Sequence, residues 1–130
     1  MVLDASAAFD LLVRREPAAS WVAERALEAR VLRAPHLIET EVVSALRRRL
    51  LRGELVPEQA ERAISNFVAI PITKYPTTWL LPRMLELGRN LTAYDAAYVA
   101  LAEALDARLL TADVRLSRAA GGLVPVTAVG

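Results

Sequence analysis

The chain has 130 residues, of which 55% are hydrophobic and only 5% aromatic, so we expect one domain over residues 1–130 with an aliphatic core. A net charge of +1 excludes a polycation that would hold nucleic acid by overall attraction, so any nucleic-acid contact must come from a local patch. The chain lacks cysteine and any apolar run of membrane-spanning length, which excludes disulfides and zinc–thiolate sites and favours a cytoplasmic protein without membrane contact.

The first half of the chain alternates short apolar runs with amphipathic stretches. Residues 1–4 do not alternate in polarity, which predicts a short strand buried on both faces. Helical spacing of apolar residues follows over 5–15, and Pro17 is well placed to begin a second helix carrying Trp21, Val22, Ala26 and Leu27 on one face. A second strand is predicted over 30–34, and a long helix over 36–52 ends at Gly53.

The second half continues the same alternation. Pro57 begins a helix that runs to residue 67, and a third strand is predicted over 69–72. A helix over 77–89 must place Pro82 in its first turn or kink there. The remaining elements are predicted as a helix over 92–104, a strand over 108–111, a helix over 114–119 and a strand over 124–127.

Strands separated by helices in this order predict an α/β/α sandwich with a central parallel sheet of about four to five short strands. Ligand sites in such sheets lie beyond the carboxyl ends of the strands. Asp4 closes the first predicted strand, and Asp113 follows the fourth. We therefore expect these two carboxylates at the same edge of the sheet.

Two further acids complete a candidate metal site. Glu41 lies in the long helix after the second strand, and Asp95 lies in the first turn of the helix over 92–104. Carboxylates gathered in one pocket repel one another unless a cation neutralises them, and hard divalent ions such as Mg²⁺ or Mn²⁺ suit an all-oxygen site. Metal held in this way beside a phosphate is the chemistry of phosphodiester hydrolysis.

Each acid also has an ordinary structural explanation. Asp4 and Asp113 lie between a strand and a helix and could be N-caps, and Thr92 with Asp95 is close to a capping box. Glu41 could be a solvated helix residue, although it falls at the apolar face of its helix. Glu39 also lies near apolar positions, so helical periodicity alone does not choose between the two glutamates. Capping gives no reason for the acids to occur in this order in this architecture.

Four segments in order carry a resemblance to a known family: M-V-L-D-A-S-A, P-H-L-I-E-T-E-V-V-S-A-L-R-R, L-T-A-Y-D-A-A-Y-V-A-L-A and L-L-T-A-D-V-R-L. With the late V-P-V strand, the chain resembles the PIN-domain ribonucleases over essentially its whole length, and among them the VapC-type toxins of toxin–antitoxin pairs. The resemblance selects Glu41 over Glu39. It implies that Asp4, Glu41, Asp95 and Asp113 are the catalytic, metal-binding acids. Some family members carry a further acid after the fourth, where this chain has Val114, Arg115 and Leu116.

The resemblance also implies a mechanism and partners. Asp4, Asp95 and Asp113 would hold Mg²⁺ or Mn²⁺ for hydrolysis of RNA, Glu41 would orient a ligand water or complete a second site, and Ser6 and Thr111 would support the acids. The expected partners are an RNA substrate, a VapB-type antitoxin and a second copy of the chain in a homodimer. The densest basic cluster could grip RNA phosphates or antitoxin, or could simply be a solvated helix face: Arg47, Arg48, Arg49 and Arg52.

Other functions remain as alternatives. A PIN-like protein-binding module without cleavage activity and a metal-dependent DNA nuclease are the main ones, since nothing in the sequence separates RNA from DNA. A receiver-type phosphoacceptor would need a suitably placed lysine, and the only lysine, Lys74, precedes Asp95. A haloacid-dehalogenase-type phosphatase would need an aspartate at Ser6. The single histidine, His36, is expected at a helix start on the surface rather than as a general base. Three aromatic residues are expected as core or interface anchors rather than as base-stacking platforms: Trp21, Trp79 and Tyr98.

Overall fold

The computed structural model describes residues 1–13, 20, 23–25, 28 and 31–128. Among them, five strands form one sheet: β1 Val2–Leu3, β2 Leu32–Pro35, β3 Ile72–Tyr75, β4 Leu109–Thr111 and β5 Val126–Ala128. The α-helices that lie wholly within these ranges are α1 Ala5–Leu12, α2 Leu37–Leu51, α3 Pro57–Ala69, α4 Leu81–Glu86, α5 Ala93–Ala104 and α6 Val114–Ala120. A single 3₁₀ turn, Thr78–Leu80, precedes α4.

The sheet is parallel and has the order β3-β2-β1-β4-β5. Val2 pairs with Arg33 on one side and with Leu109 on the other, which places β1 at the centre. Neighbouring residues of a strand face opposite sides of a sheet, and both Val2 and Leu3 are fully buried. Both faces of the sheet are therefore covered by helices, and the predicted α/β sandwich is confirmed.

The direction in which the chain builds the sheet reverses at β1. From β1 the chain moves outward through β2 to β3, and it then returns to the opposite side of β1 to form β4 and β5. The connections that leave β1 and β4 consequently diverge, and a crevice opens between them at the carboxyl edge. Asp4 and Asp113 each lie just beyond one of these two strands.

The end of α2 follows from its sequence. Gly53 has φ +71°, and its N–H donates to the Leu50 carbonyl over 3.1 Å while the Glu54 N–H donates to the Arg49 carbonyl over 2.9 Å. These two bonds form a Schellman motif, in which glycine adopts the left-handed conformation without steric cost. The prediction that Gly53 ends the long helix is confirmed.

Two predicted strands are misplaced. The third strand was expected over 69–72, but α3 continues to Ala69 and β3 begins only at Ile72. The last strand was expected over 124–127, but Val124 still donates its N–H to Ala120 at the end of α6, and β5 begins at Val126. Both are edge strands that are only partly covered, so polar residues such as Thr73 and Lys74 occupy them and no continuous apolar run marks them.

The helix predicted over 77–89 is shorter and broken. The 3₁₀ turn at Thr78–Leu80 leads into α4, and Pro82 lies in the first turn of α4, where its missing N–H costs no hydrogen bond. Trp79 was expected as a core or interface anchor, and because half of its surface is exposed it is not a core residue. The Trp79 indole donates to the Pro76 carbonyl over 2.7 Å and thereby stabilises the turn.

Some predictions fall outside the described residues. They are the helix expected to begin at Pro17, with Trp21, Val22, Ala26 and Leu27, and the end of the first helix beyond Val13. Within the ranges given above, no helix is both long and apolar enough to cross a membrane.

Helices α4 and α5 are joined by a paired ion bridge. Arg83 donates from Nε and Nη2 to the two carboxylate oxygens of Glu103, each over 2.8 Å. Such two-point contacts fix the geometry of a guanidinium and a carboxylate better than a single bond does. The bridge holds α5, whose first turn carries Asp95, against its neighbour.

Replacing Gly53 with alanine tests the ending of α2. A Cβ at this position meets nothing within 4 Å, so the cost is that of placing alanine at positive φ, and we expect the free energy of unfolding to fall by about 1 kcal/mol. Urea denaturation of the two proteins measures the change. Gly122→Ala is the matched control, because that glycine is equally open but does not have a left-handed φ. Equal effects at both positions would contradict the assignment.

Candidate active site

Asp4 is the buried centre of the site. It caps α1 immediately after β1, and only 3% of its surface is exposed. Its Oδ1 accepts from the Ser6 hydroxyl over 2.7 Å and from the Ala7 N–H over 2.9 Å, and its Oδ2 accepts from the Thr111 hydroxyl over 2.5 Å. The capping role and the site role therefore fall on the same carboxylate.

The hydroxyl protons of Ser6 and Thr111 are both committed to Asp4. A hydroxyl has one proton to donate, so the 3.2 Å approach between the Ser6 and Thr111 oxygens has no proton left for a bond of its own. Each hydroxyl instead accepts a backbone N–H: Ser6 from Ala112 over 3.0 Å, and Thr111 from Asp113 over 3.0 Å. The two side chains thus tie the loop after β4 to the end of β1.

Burial raises the pKa of Asp4 from 3.8 to about 6, because removal from water disfavours the charged form. The bonds from Thr111, Ala7 and Ser6 lower the pKa but do not cancel this effect, and the nearby charge of Asp113 raises it slightly further. Burial therefore destabilises the ionised form of Asp4 near neutral pH, and a neighbouring cation would stabilise that form.

Asp113 and Asp95 are joined by Arg115. Asp113 caps α6, its Oδ1 accepting the N–H groups of Arg115 over 2.9 Å and of Leu116 over 3.2 Å. Asp95 lies in the first turn of α5, which Thr92 caps by accepting the Asp95 N–H over 3.1 Å. The Arg115 Nη2 atom lies 2.7 Å from Asp95 Oδ2 and 3.4 Å from Asp113 Oδ2. In a full capping box, the Asp95 side chain would accept a hydrogen bond from the Thr92 N–H. Here the Asp95 side chain contacts Arg115.

Glu41 is fixed by Tyr98 of α5. The buried Tyr98 hydroxyl donates to Glu41 Oε1 over 2.6 Å. Burial raises the pKa of Glu41, the Tyr98 bond and the Arg48 charge lower it, and the Asp95 charge raises it. Burial and the Glu41 contact raise the pKa of Tyr98, which therefore remains a donor. Glu39 is exposed and lies 3.8 Å from His36, also exposed at the start of α2, so Glu41 is the acid that faces the site.

All four predicted acids line one open cavity of about 560 Å³ at the carboxyl edge of the sheet. Ser6 lines it as well, while Thr111 lies fully buried behind Asp4. Three of the four candidate arginines also line it: Arg48, Arg49 and Arg52. Arg47 is exposed and does not line the cavity, because α2 turns it to a different face.

The chemistry of the donors fits a hard divalent ion, since the cavity presents carboxylate and hydroxyl oxygens from four helices. The present spacing is wider than a closed site needs: within the described residues, no three acidic or histidine side chains are grouped closely enough to hold an ion. Asp95 and Asp113 each contact Arg115 instead. Metal binding by these acids would therefore require these two side chains to reorient.

The family model of the PIN domain matches residues 1–122, and the chain belongs to the PIN-domain family. It is similar to Ribonuclease VapC9 of Mycobacterium tuberculosis, with 41% identity over 129 residues that cover 99% of this chain and 98% of that protein. Ribonuclease VapC1 of the same organism is 42% identical over 124 residues, 92% of this chain and 90% of its own.

A solved structure shows the same fold. The crystal structure of PAE2754 from Pyrobaculum aerophilum matches with a TM-score of 0.67 and 24% identity, covering 95% of this chain and 81% of that one. At this identity the likeness extends to the fold alone. It agrees with the parallel sheet and helical layers described above.

Two residues of the site were missed from the sequence. Tyr98 was expected only as a core or interface anchor, and Arg115 was noted only as a position without a further acid. Tyr98 lies three residues after Asp95 on α5, so the two share one side of the helix, and that spacing was an available signal. The contact of Arg115 with Asp95 joins two different helices, and no local pattern in the sequence marks it.

The pH dependence of stability tests the environment of Asp4. Its pKa is raised in the folded state, so the associated stabilisation is complete below the unfolded pKa and is lost as pH rises through about 6. In EDTA, the unfolding free energy of the parent minus that of Asp4→Asn should fall by about 2 kcal/mol between about pH 4 and about pH 7.5. Both are measured by urea denaturation, and Asp106→Asn, which makes the same substitution at an exposed turn, is the control. A flat difference for Asp4→Asn would contradict the raised pKa.

The Tyr98 hydroxyl can be removed without changing the ring. We expect Tyr98→Phe to lower the free energy of unfolding by about 1–2 kcal/mol, because a partly buried Glu41 oxygen loses its donor. Tyr94→Phe, one turn earlier on α5 and exposed, should leave stability unchanged. Thermal and urea denaturation of both variants provide the comparison, and equal stability of all three proteins would show that the bond contributes nothing measurable.

Proposed function

We propose that this protein is a metal-dependent endoribonuclease that acts as the VapC-type toxin of a toxin–antitoxin pair. The observation that carries the proposal is the convergence of Asp4, Glu41, Asp95 and Asp113 on one cavity, in a PIN-domain chain about two-fifths identical to proteins named VapC ribonucleases. Ligands bind at the switch point of an open parallel sheet, and four acids from separate elements at that point can hold a divalent ion beside a phosphate.

The acids divide into those that hold the ion and those that support it. Asp4, Asp95 and Asp113 would bind Mg²⁺ or Mn²⁺, and Glu41 would orient a water or complete a second site. Such an ion lowers the pKa of a bound water and neutralises charge on the phosphate. Ser6 and Thr111 keep the Asp4 carboxylate in one orientation through their hydroxyl bonds. Tyr98 does the same for Glu41.

The arginines of α2 suit a polyanionic substrate. Arg48 and Arg52 are exposed, lie one turn apart and line the same cavity as the acids. Arg49 is held by Glu54 over 2.7 Å and stacks over the Phe9 ring, 5.2 Å from its centroid, so it is less free to move. Guanidinium groups bind phosphate oxygens through paired hydrogen bonds, which supplies the local patch that a net charge of +1 requires.

The expected partners follow from the proposed class. An RNA strand would enter the open cavity, and a VapB-type antitoxin would compete with it for the same surface. The expected homodimer, the cytoplasmic location and the choice of Mg²⁺ or Mn²⁺ belong to this proposal as well. Exposed apolar side chains such as Leu51, Val68 and Leu85 are available for contacts with antitoxin or a second copy.

The test is cleavage of a panel of structured RNAs and matched DNAs by antitoxin-free protein, with Mg²⁺ or Mn²⁺ and with EDTA. We expect RNA to be cut only with metal, and Asp95→Asn to lower the rate at least about a hundredfold while the fold persists. Asp106→Asn is the control, since it removes the same charge at an exposed turn away from the cavity.

Each other outcome has a defined meaning. Cleavage by Asp95→Asn at the parent rate would show that the site assignment is wrong. Equal cutting of DNA would indicate a general nuclease. RNA binding that needs no metal, with no cleavage of any substrate, would favour a PIN-like binding module.

A further inference from the structure

Arg115 has an unusual position at the cavity. It lies two residues after Asp113, in the first turn of α6, and its guanidinium reaches across to α5. The same Nη2 atom lies 2.7 Å from Asp95 Oδ2 and 3.4 Å from Asp113 Oδ2. The Arg115 side chain is 58% exposed, whereas that of Asp95 is only 14% exposed. A solvent-facing cation thus closes over a carboxylate that is largely buried.

The carboxylates that Arg115 contacts are two of the acids assigned to the metal. An ion bound through Asp95 Oδ2 at about 2 Å would lie close to the guanidinium, and the two positive charges would repel strongly. Arg115 and a divalent ion therefore satisfy the same negative charge and exclude one another at these oxygens. We propose that Arg115 is a built-in competitor of the metal, which holds Asp95 and Asp113 together until the ion displaces it.

This inference rests on the proposed function, because it assumes that Asp95 and Asp113 bind metal. The strength of the contact suits a reversible device. Ion pairs with an exposed partner are weak, so displacement would reduce metal affinity by a modest factor and would not block binding. The site would exchange between a form in which Asp95 and Asp113 are free to bind metal and a form in which Arg115 covers them. The apparent affinity for metal is then the intrinsic affinity multiplied by the fraction of the first form.

After the ion displaces it, the Arg115 side chain can contact the substrate. Arg115 is anchored at the rim of a cavity that already contains Arg48 and Arg52, so its guanidinium can turn to the phosphate oxygens that an RNA strand would bring. Metal binding and RNA binding would then favour one another. The metal gives Asp95 and Asp113 a new partner, and the RNA phosphates give Arg115 one.

The experiment is calorimetric titration of Mn²⁺ into the full, antitoxin-free chain, with circular dichroism to verify folding. We expect Arg115→Gln to bind Mn²⁺ about three- to tenfold more tightly than the parent. Arg115→Lys keeps the charge but loses the planar fork, and its affinity should lie between those two. Arg118→Gln is the matched control: it removes the same charge from an exposed position one turn later on α6, outside the cavity, and should change affinity less than twofold.

The outcomes separate this inference from the proposed function. Tighter binding by Arg115→Gln alone would support competition. Equal affinities for the parent and both glutamine variants, or weaker binding by Arg115→Gln, would overturn competition while leaving the metal site intact. An equal gain in both glutamine variants would show a general charge effect and would also overturn it. If none of the proteins bound Mn²⁺, the metal site itself would be wrong, and the proposed function would fail with it.

Discussion

A buried carboxylate at the end of the central strand determines how the rest of the site is built. Asp4 has almost no contact with water, so its oxygens must be satisfied by protein donors, which are the Ala7 N–H and the Ser6 and Thr111 hydroxyls. Thr111 comes from the neighbouring strand β4, and its oxygen also accepts the Asp113 N–H. The hydrogen bonds that the buried Asp4 carboxylate requires therefore fix the loop that carries Asp113.

The charges around this centre are arranged by sign. Acids from α1, α2, α5 and α6 face the cavity, while arginines from one side of α2 and from the first turn of α6 form its rim. The net charge of the chain conceals this separation, because the two sets nearly cancel in the sum. Incomplete hydration raises the pKa of both Asp4 and Glu41, so the cavity is suited to groups that supply positive charge, whether a metal ion or a guanidinium.

The sequence was informative where local chemistry decides the structure. The strands β1 and β4 are buried on both faces and were marked by unbroken apolar runs. The end of α2 was marked by Gly53, whose positive φ few other residues tolerate. The sequence was uninformative at β3 and β5, because partial burial allows polar residues there. It was also uninformative around Thr78–Leu80, where a 3₁₀ turn replaces a predicted helical turn. In those places the pairing with a neighbouring strand or the packing of a turn outweighs local preference.

By itself, the sequence determined the fold class and the placement of Asp4, Asp95 and Asp113 after strands or at helix starts, because these depend on periodicity and capping preferences that act over a few residues. The choice of Glu41 over Glu39 came from the family resemblance and not from a local pattern. Only the tertiary structure decided which side chains meet. It joined Tyr98 to Glu41, closed Arg115 over Asp95, and turned Arg48 and Arg52 toward the cavity while leaving Arg47 outside it. Contacts between residues far apart in the chain depend on how helices are rotated and packed against the sheet, and no local pattern encodes that geometry.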